Sequence, residues 1–475
     1  MLFSSFENTF VIITHPASPV VLDRPGPAFT LKKERSMSSV TEQARDRVLD
    51  TIEQTRRELI TFLGEYVRFQ SVNPEMVPEG TSTELRQCQE WLRDRLHSWG
   101  IFDEVRCLVE DPEQPNVVAR RRGQGNGPAL LFNGHSDVVP VTPDQEAAWS
   151  VGSPWGGAVI DGKLWGRGAS DMKGGNAAFL WAIKALAAAG VRLRGDLLAT
   201  VVSGEETGHH TIGVDLLAAE GYVAPFGILT EPTDLQVCPA TVGEFYFLIR
   251  VQGRSASLAS RHLAVYPAPY GVPVAGVNAI EKMLKIQRAL VDLDREWGVW
   301  QRHPLMVPGN MNINFSRIHG GDIYSAIADG CELTGSVLFN PSLSFEQVLA
   351  EFRRAIDGAV QSDYWLREHP PTITVPYILD QKEPINLSPG HPGCKALIDA
   401  YEEVMQTSPT LICTTGTSDG NYLAARGQAI VTFGPGASNA GVHGSNEHVD
   451  VDRLVDATKV IALTAMEWCE IAALD

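Results

Sequence analysis

Acid and imidazole residues, widely spaced along the chain, stand at the ends of short apolar runs, and this placement constrains the fold more than any other feature. His135-Ser136-Asp137 follows Ala129-Leu130-Leu131-Phe132. Asp171 ends Gly168-Ala169-Ser170-Asp171, and Glu205-Glu206 follows the strand-like Leu197 to Val202. Glu231 closes Ile228-Leu229-Thr230, and His443 lies in Gly441-Val442-His443-Gly444-Ser445-Asn446-Glu447. Residues so far apart converge only if the runs that carry them are parallel strands of one sheet, where ligands collect at the carboxyl ends. Two imidazoles and three carboxylates suit a pair of divalent first-row metals. With no sulfur among them, zinc, manganese and cobalt all fit.

The rest of the chain agrees with an α/β class. From about residue 41 to 243, short apolar runs alternate with helical stretches such as Asn176 to Ala189, the pattern of a doubly wound sheet. After Gly243 the order changes. Phe245 to Val251 reads as a strand and Val277 to Trp297 as a helix. Met311 to Ile318 and Cys331 to Phe339 are strands, Phe345 to Tyr364 a helix, and Thr372 to Val375 a strand. That order is βαββαβ, a ferredoxin-like unit. The first pattern resumes near Pro392 and ends in a helix over Asp452 to Ile471. The expectation is therefore a catalytic domain with a doubly wound mixed sheet, formed by residues 37–243 and 377–475 and interrupted by an inserted domain, 244–376. His262 to Val274 reads as an irregular loop in the insert. Residues 1–36 are expected to be a disordered extension ahead of a translation start at Met37. There Ser39 and Glu42 form a capping box, and a helical period runs through Val48, Ile52, Leu59, Leu63 and Tyr66.

Composition narrows the partners. At 475 residues the chain exceeds one ordinary core. A formal charge of −18 argues against nucleic acid or an anionic membrane. No apolar run approaches the ~20 residues that span a bilayer. The seven cysteines are odd in number and scattered without a CxxC pair, which suits reduced thiols in a cytoplasm.

Each candidate has an ordinary reading beside its chemical one. His135 alone is a polar residue at a strand end. Asp137, two residues on, points to the same side of an extended chain, where it can accept the ring's other N–H and fix the tautomer. Asp171 alone is a helix cap, Glu205-Glu206 a solvated acidic pair, Glu231 the start of a proline turn, and His443 a loop residue. Together, at strand ends, they are a site. A serine hydrolase is the competing chemistry, since Gly416-Thr417-Ser418-Asp419-Gly420 matches a nucleophile elbow. It leaves His135, Asp171, Glu206 and Glu231 without a role.

The segments Asn133 to Asp137, Gly166 to Gly175, Ser203 to Gly208, Leu229 to Pro232 and His443 to Glu447 resemble the aminoacylase, acetylornithine deacetylase, succinyl-diaminopimelate desuccinylase and carboxypeptidase G metallohydrolase family, in order, from about residue 50 onward. The resemblance implies a metal-dependent hydrolase of a C–N bond in a small, carboxylated substrate. It implies one or two divalent ions (Zn, Mn or Co), with His135 and Glu231 on one, Glu206 and His443 on the other, and Asp171 bridging. It makes Asp137 the orienting carboxylate and Glu205 the general base. It also implies that the insert is a lid and a dimerisation domain, giving a homodimer or higher homo-oligomer.

Two positions depart from that pattern. Relatives usually carry a histidine where this chain has Ser257, in Gly253-Arg254-Ser255-Ala256-Ser257, and an Asp-x-Arg where it has Ser336 and Leu338. An oxyanion donor of that kind is worth ~3 kcal/mol in the transition state. Arg254, Arg261, His262 and Asn312 are the candidates to contact substrate instead. The alternative is an unusual C–N bond, such as that of an aromatic amine, in an aminohydrolase reaction.

Overall fold

The computed structural model describes residues 39–260 and 275–474. The expected extension at 1–36 and the loop holding Arg261 and His262 lie outside the described residues. The large sheet runs in the order Glu104–Leu108, Asn116–Arg121, Leu197–Val202, Leu130–His135, Phe226–Leu229, Ala429–Thr432, Val237–Thr241, Ile385–Asn386, with Leu411–Thr414 beside Val237–Thr241. Its centre is parallel and its flanks are antiparallel, so the sheet is mixed. Leu197–Val202 and Leu130–His135 are buried at every position. That is why Leu130-Leu131-Phe132 and most of Leu197–Val202 read as apolar runs rather than alternating ones.

Helices close the faces of this sheet. Lys173–Ala188 is buried around most of its circumference, and Val451–Trp468 packs beside it in the main core. The chain between the sheet's two contributions builds a second, antiparallel sheet in the order Asn312–Gly320, Gly330–Phe339, Gly243–Gln252, Thr372–Thr374. Gly330–Phe339 alternates buried and half-buried residues, the period of a one-faced strand. Helices Ala279–Trp300 and Phe345–Gln361 pack with it in a separate core. Asn278 caps the first, and the Ser344/Gln347 capping box starts the second. Phe352 fills this core, with its ring 5.8 Å from Phe245 and 5.0 Å from Phe247.

The strands entering and leaving this unit meet. Glu244 and Lys382 form a two-hydrogen-bond antiparallel bridge, at 2.9 and 2.8 Å. Asn421, fully buried, donates its side-chain N–H groups to the carbonyls of Val242 and Glu383. Both linkers are thereby tied to the helix Asp419–Ala425.

Several boundaries differ from the sequence reading. The period through Val48 and Tyr66 is two helices, Ser39–Gln54 and Arg56–Val67, separated at Thr55. The helix expected from Asn176 starts at Lys173. Phe345–Gln361 stops short of Tyr364 because Asp363 caps a new short helix, Tyr364–Glu368. The last helix ends at Trp468, Glu470 turns with φ 59°, and Ile471–Leu474 becomes a strand on Val191–Leu193.

Candidate metal centre

The parallel strands deliver their ends to one place. His135 is the last residue of its strand, Glu205-Glu206 follows Leu197–Val202, and Glu231 follows Phe226–Leu229. Asp171 stands just before the helix Lys173–Ala188, and His443 comes from a loop with its own φ at 56°. His135 Nε2 lies 3.3 Å from Asp171 Oδ1 and 3.9 Å from Glu231 Oε2. His443 Nε2 lies 3.3 Å from Asp171 Oδ2 and 3.1 Å from Glu206 Oε2. Each oxygen of Asp171 therefore faces a different imidazole. Two groups result, His135/Asp171/Glu231 and Asp171/Glu206/His443, each with ligand atoms within 4.8 Å of one another.

The donor set fits cations. His135 Nδ1 hydrogen-bonds the Asp137 backbone carbonyl at 2.8 Å, and a carbonyl only accepts. A neutral ring then carries its proton on Nδ1 and turns the Nε2 lone pair toward the acids. Nε2 and Glu231 Oε1 are buried with no hydrogen-bond partner, a costly state that a bound ion removes. The expected contact from the Asp137 carboxylate is not what orients the ring. Its Oδ1 is 3.7 Å away, because its Oδ2 accepts from Asn73 Nδ2 and the Glu206 N–H. Asp137 holds the Glu206 backbone instead.

Electrostatics point the same way. Burial raises the pKa of Glu231, of Glu205, and of Glu206 to about 7, and the neighbouring carboxylates add to it. Hydrogen bonds that the His443 ring donates to Asp171 and Glu206 push its pKa up to about 10. Burial opposes protonation of His135, but Asp171 and Glu231 outweigh it and raise it well above the usual histidine range. So much clustered negative charge captures protons where no dication neutralises it.

Sequence reasoning missed the structure that assembles the two halves. Arg167 and Glu447 form an ion pair at 2.5 Å with both side chains 1% exposed. Glu447 Oε1 also accepts the N–H groups of Ser170 and Asp171, both at 3.0 Å, while Arg167 Nη2 donates to the Gly444 carbonyl. Gln145 Nε2 donates to the His443 carbonyl. Arg167 and Glu447 both stood inside the quoted motifs. A basic and an acidic residue flanking candidate ligands was the available signal.

The substrate candidates are placed elsewhere. Arg254 is exposed, 5.2 Å from the centre of the Trp365 ring, and Asn312 Nδ2 donates to the Asn310 carbonyl. Neither lines the cavity beside the acids, which measures about 460 Å³. That cavity is lined by Asp171, Glu205, Glu206, Glu231 and His443 on one side and by the segment 412–418 on the other. Ser418 is part of this wall and begins the helix Asp419–Ala425, its N–H donating to Asn421 Oδ1.

Residues 131–467 match the family described as Peptidase family M20/M25/M40. The chain belongs to this family. It is 32% identical to the N-formyl-4-amino-5-aminomethyl-2-methylpyrimidine deformylase of Bacillus subtilis (strain 168), over 88% of this chain and 96% of that one. It is 29% identical to a succinyl-diaminopimelate desuccinylase of Thioalkalivibrio sulfidiphilus, over 82% and 93%. Among solved structures, the M20 family metallo-carboxypeptidase of Sulfolobus solfataricus shares the fold, with a TM-score of 0.62 at 18% identity, covering 86% of this chain and 99% of that one. As an M20/M25/M40 member the chain is a hydrolase of carbon–nitrogen bonds.

Proposed function

We propose that this M20/M25/M40 hydrolase cleaves an amide C–N bond in a small molecule with two divalent ions, one in each donor group. The observation that carries this is Asp171, whose two oxygens face the two histidines and belong to both groups. His135 and Glu231 would hold one ion and Glu206 and His443 the other, and zinc, manganese or cobalt there would supply Lewis-acid chemistry that lowers the pKa of water from about 15.7 to near 7 and polarises a carbonyl. Glu205 belongs to neither group, although its Oε2 lies 3.7 Å from His135 Nε2. It is the general base, taking a proton from water and returning it to the leaving nitrogen. Burial and the neighbouring carboxylates raise its pKa in the metal-free site. Asp137 positions the Glu205-Glu206 turn through the Glu206 N–H.

The inserted unit is the cover of this site and its contact with a second copy. Its strand Asn312–Gly320 lies at a sheet edge with Ile318 exposed, and Ile323 and Tyr324 beyond it are exposed too. All seven cysteines are free thiols, as suits a cytoplasmic enzyme.

Elemental mass spectrometry on the purified protein tests the reading, together with amine release from N-formyl and N-acyl substrates before and after chelation. Two ions per chain with chelator-sensitive hydrolysis is the expected result. Full activity in metal-free protein would overturn it and bring Ser418 forward.

A further inference from the structure

The wall opposite the carboxylates is rich in hydroxyl groups, and for one of them, Thr417, the protein fixes which way the proton points. Thr417 Oγ1 accepts a hydrogen bond from Lys382 Nζ at 3.1 Å and donates its own to Glu244 Oε2 at 2.7 Å. An ammonium only donates and a carboxylate only accepts, so this arrangement cannot be reversed. The single hydroxyl proton is committed, and what remains is a lone pair. Thr233 Oγ1, also lining the cavity, is committed in the same sense by donating to the Gly434 carbonyl, and Thr414 Oγ1 shares a hydrogen bond with Thr241 Oγ1 that either hydroxyl can donate. Among the described residues lining the cavity there is no lysine or arginine. Lys382 itself is buried behind Thr417, its ammonium 5.7 Å from the centre of the Tyr422 ring.

We infer that Thr417, locked by Lys382 and Glu244, is a specificity-determining hydrogen-bond acceptor that selects an amide whose amine portion carries an N–H donor, such as a ring amine, over one that presents a carboxylate there. The inference rests on the C–N hydrolase reading and names the substrate class within it. A carboxylate placed against Thr417 Oγ1 meets a lone pair with no proton to receive, whereas a ring amine there meets an acceptor that needs no reorientation. Lys382 and Glu244 are the two bridged residues of the linkers into and out of the inserted unit. Thr417 is therefore positioned by the two linkers where they bridge.

The test uses metal-loaded enzyme and three compounds: N-formyl-4-amino-5-aminomethyl-2-methylpyrimidine, the same formamide without its 4-amino group, and N-succinyl-diaminopimelate. Wild-type kcat/KM is expected to favour the amino compound over its deaminated analogue by at least ~10-fold, mainly through KM, since the site otherwise leaves an acceptor unpaired. Thr417→Val keeps the shape, removes the acceptor and is expected to abolish that preference. Glu244→Met frees the hydroxyl proton and is expected to shift the ratio toward the succinyl compound. Equal rates on the two formamides, a preference for N-succinyl-diaminopimelate, or a preference that survives Thr417→Val would overturn the inference while leaving the hydrolase intact. Failure to hydrolyse any amide with two ions bound would overturn the underlying reading as well.

Discussion

Glu447→Gln isolates the contact that joins the two halves of the candidate metal centre. The substitution keeps the size of the side chain and removes its charge. Arg167, 1% exposed, then loses its counter-ion, and its Nε already has no hydrogen-bond partner. The Ser170 and Asp171 N–H groups keep at best an amide oxygen where they had a carboxylate, roughly halving each bond. Removing one partner of a buried pair costs ~3–5 kcal/mol. Against a total of ~5–15 kcal/mol this is a large fraction. Urea denaturation of the chelated protein measures it cleanly, because bound ions would add their own stabilisation. Asp171 and the Gly444 carbonyl are gripped by the same pair, so the variant is also expected to bind the ion at Asp171/Glu206/His443 more weakly, by ~10–100-fold. Arg167→Lys, which keeps the charge but not the two-pronged reach, is expected to fall between. A loss below ~1 kcal/mol with both ions retained would refute the reasoning, since it would mean that the pair neither stabilises the two loops nor positions the ligands on them.

Glu205→Gln is expected to retain both ions and lose ~10²–10⁴-fold in kcat, whereas His443→Ala is expected to lose one ion; metal content and initial rates distinguish the two. Burial would raise the pKa of Asp363, but Lys282, Lys285 and the Leu366 N–H outweigh it and hold it well below the usual aspartate range. The stabilisation from this depressed pKa is present above the unfolded pKa of about 3.9 and is lost as pH falls toward the folded one. Asp363→Asn should therefore lower stability at pH 7, with the difference from wild type shrinking below about pH 4 in urea titrations. Phe352→Ala should cost ~3–5 kcal/mol of stability in the inserted unit, read by hydrogen exchange in Phe345–Gln361.

The strand ends were legible because burial on both faces leaves short apolar runs, Leu130-Leu131-Phe132 before His135 and Phe226–Leu229 before Glu231. The βαββαβ order after Gly243 was legible because each strand and helix there keeps its own hydrophobic period, as in Gly330–Phe339 and Ala279–Trp300. Contacts made by backbone groups or by residues hundreds of positions apart were not legible. Nothing local shows that Asp137 holds Glu206 rather than His135, or that Glu447 reaches Asp171. Thr417 illustrates the same limit. Its hydroxyl acquires direction only when Lys382 and Glu244 meet across the linkers.

The strand Ala429–Thr432 lies beside Phe226–Leu229, although about 200 residues separate them. At a synthesis rate of roughly 5–20 residues per second, the growing chain leaves that inner edge uncovered for ~10–40 s. During this interval His135, Asp171 and Glu231 have already been made, while His443 has not. The two donor groups are thus born in sequence. Until Ala429–Thr432 arrives, the open edge of Phe226–Leu229 invites pairing with another chain.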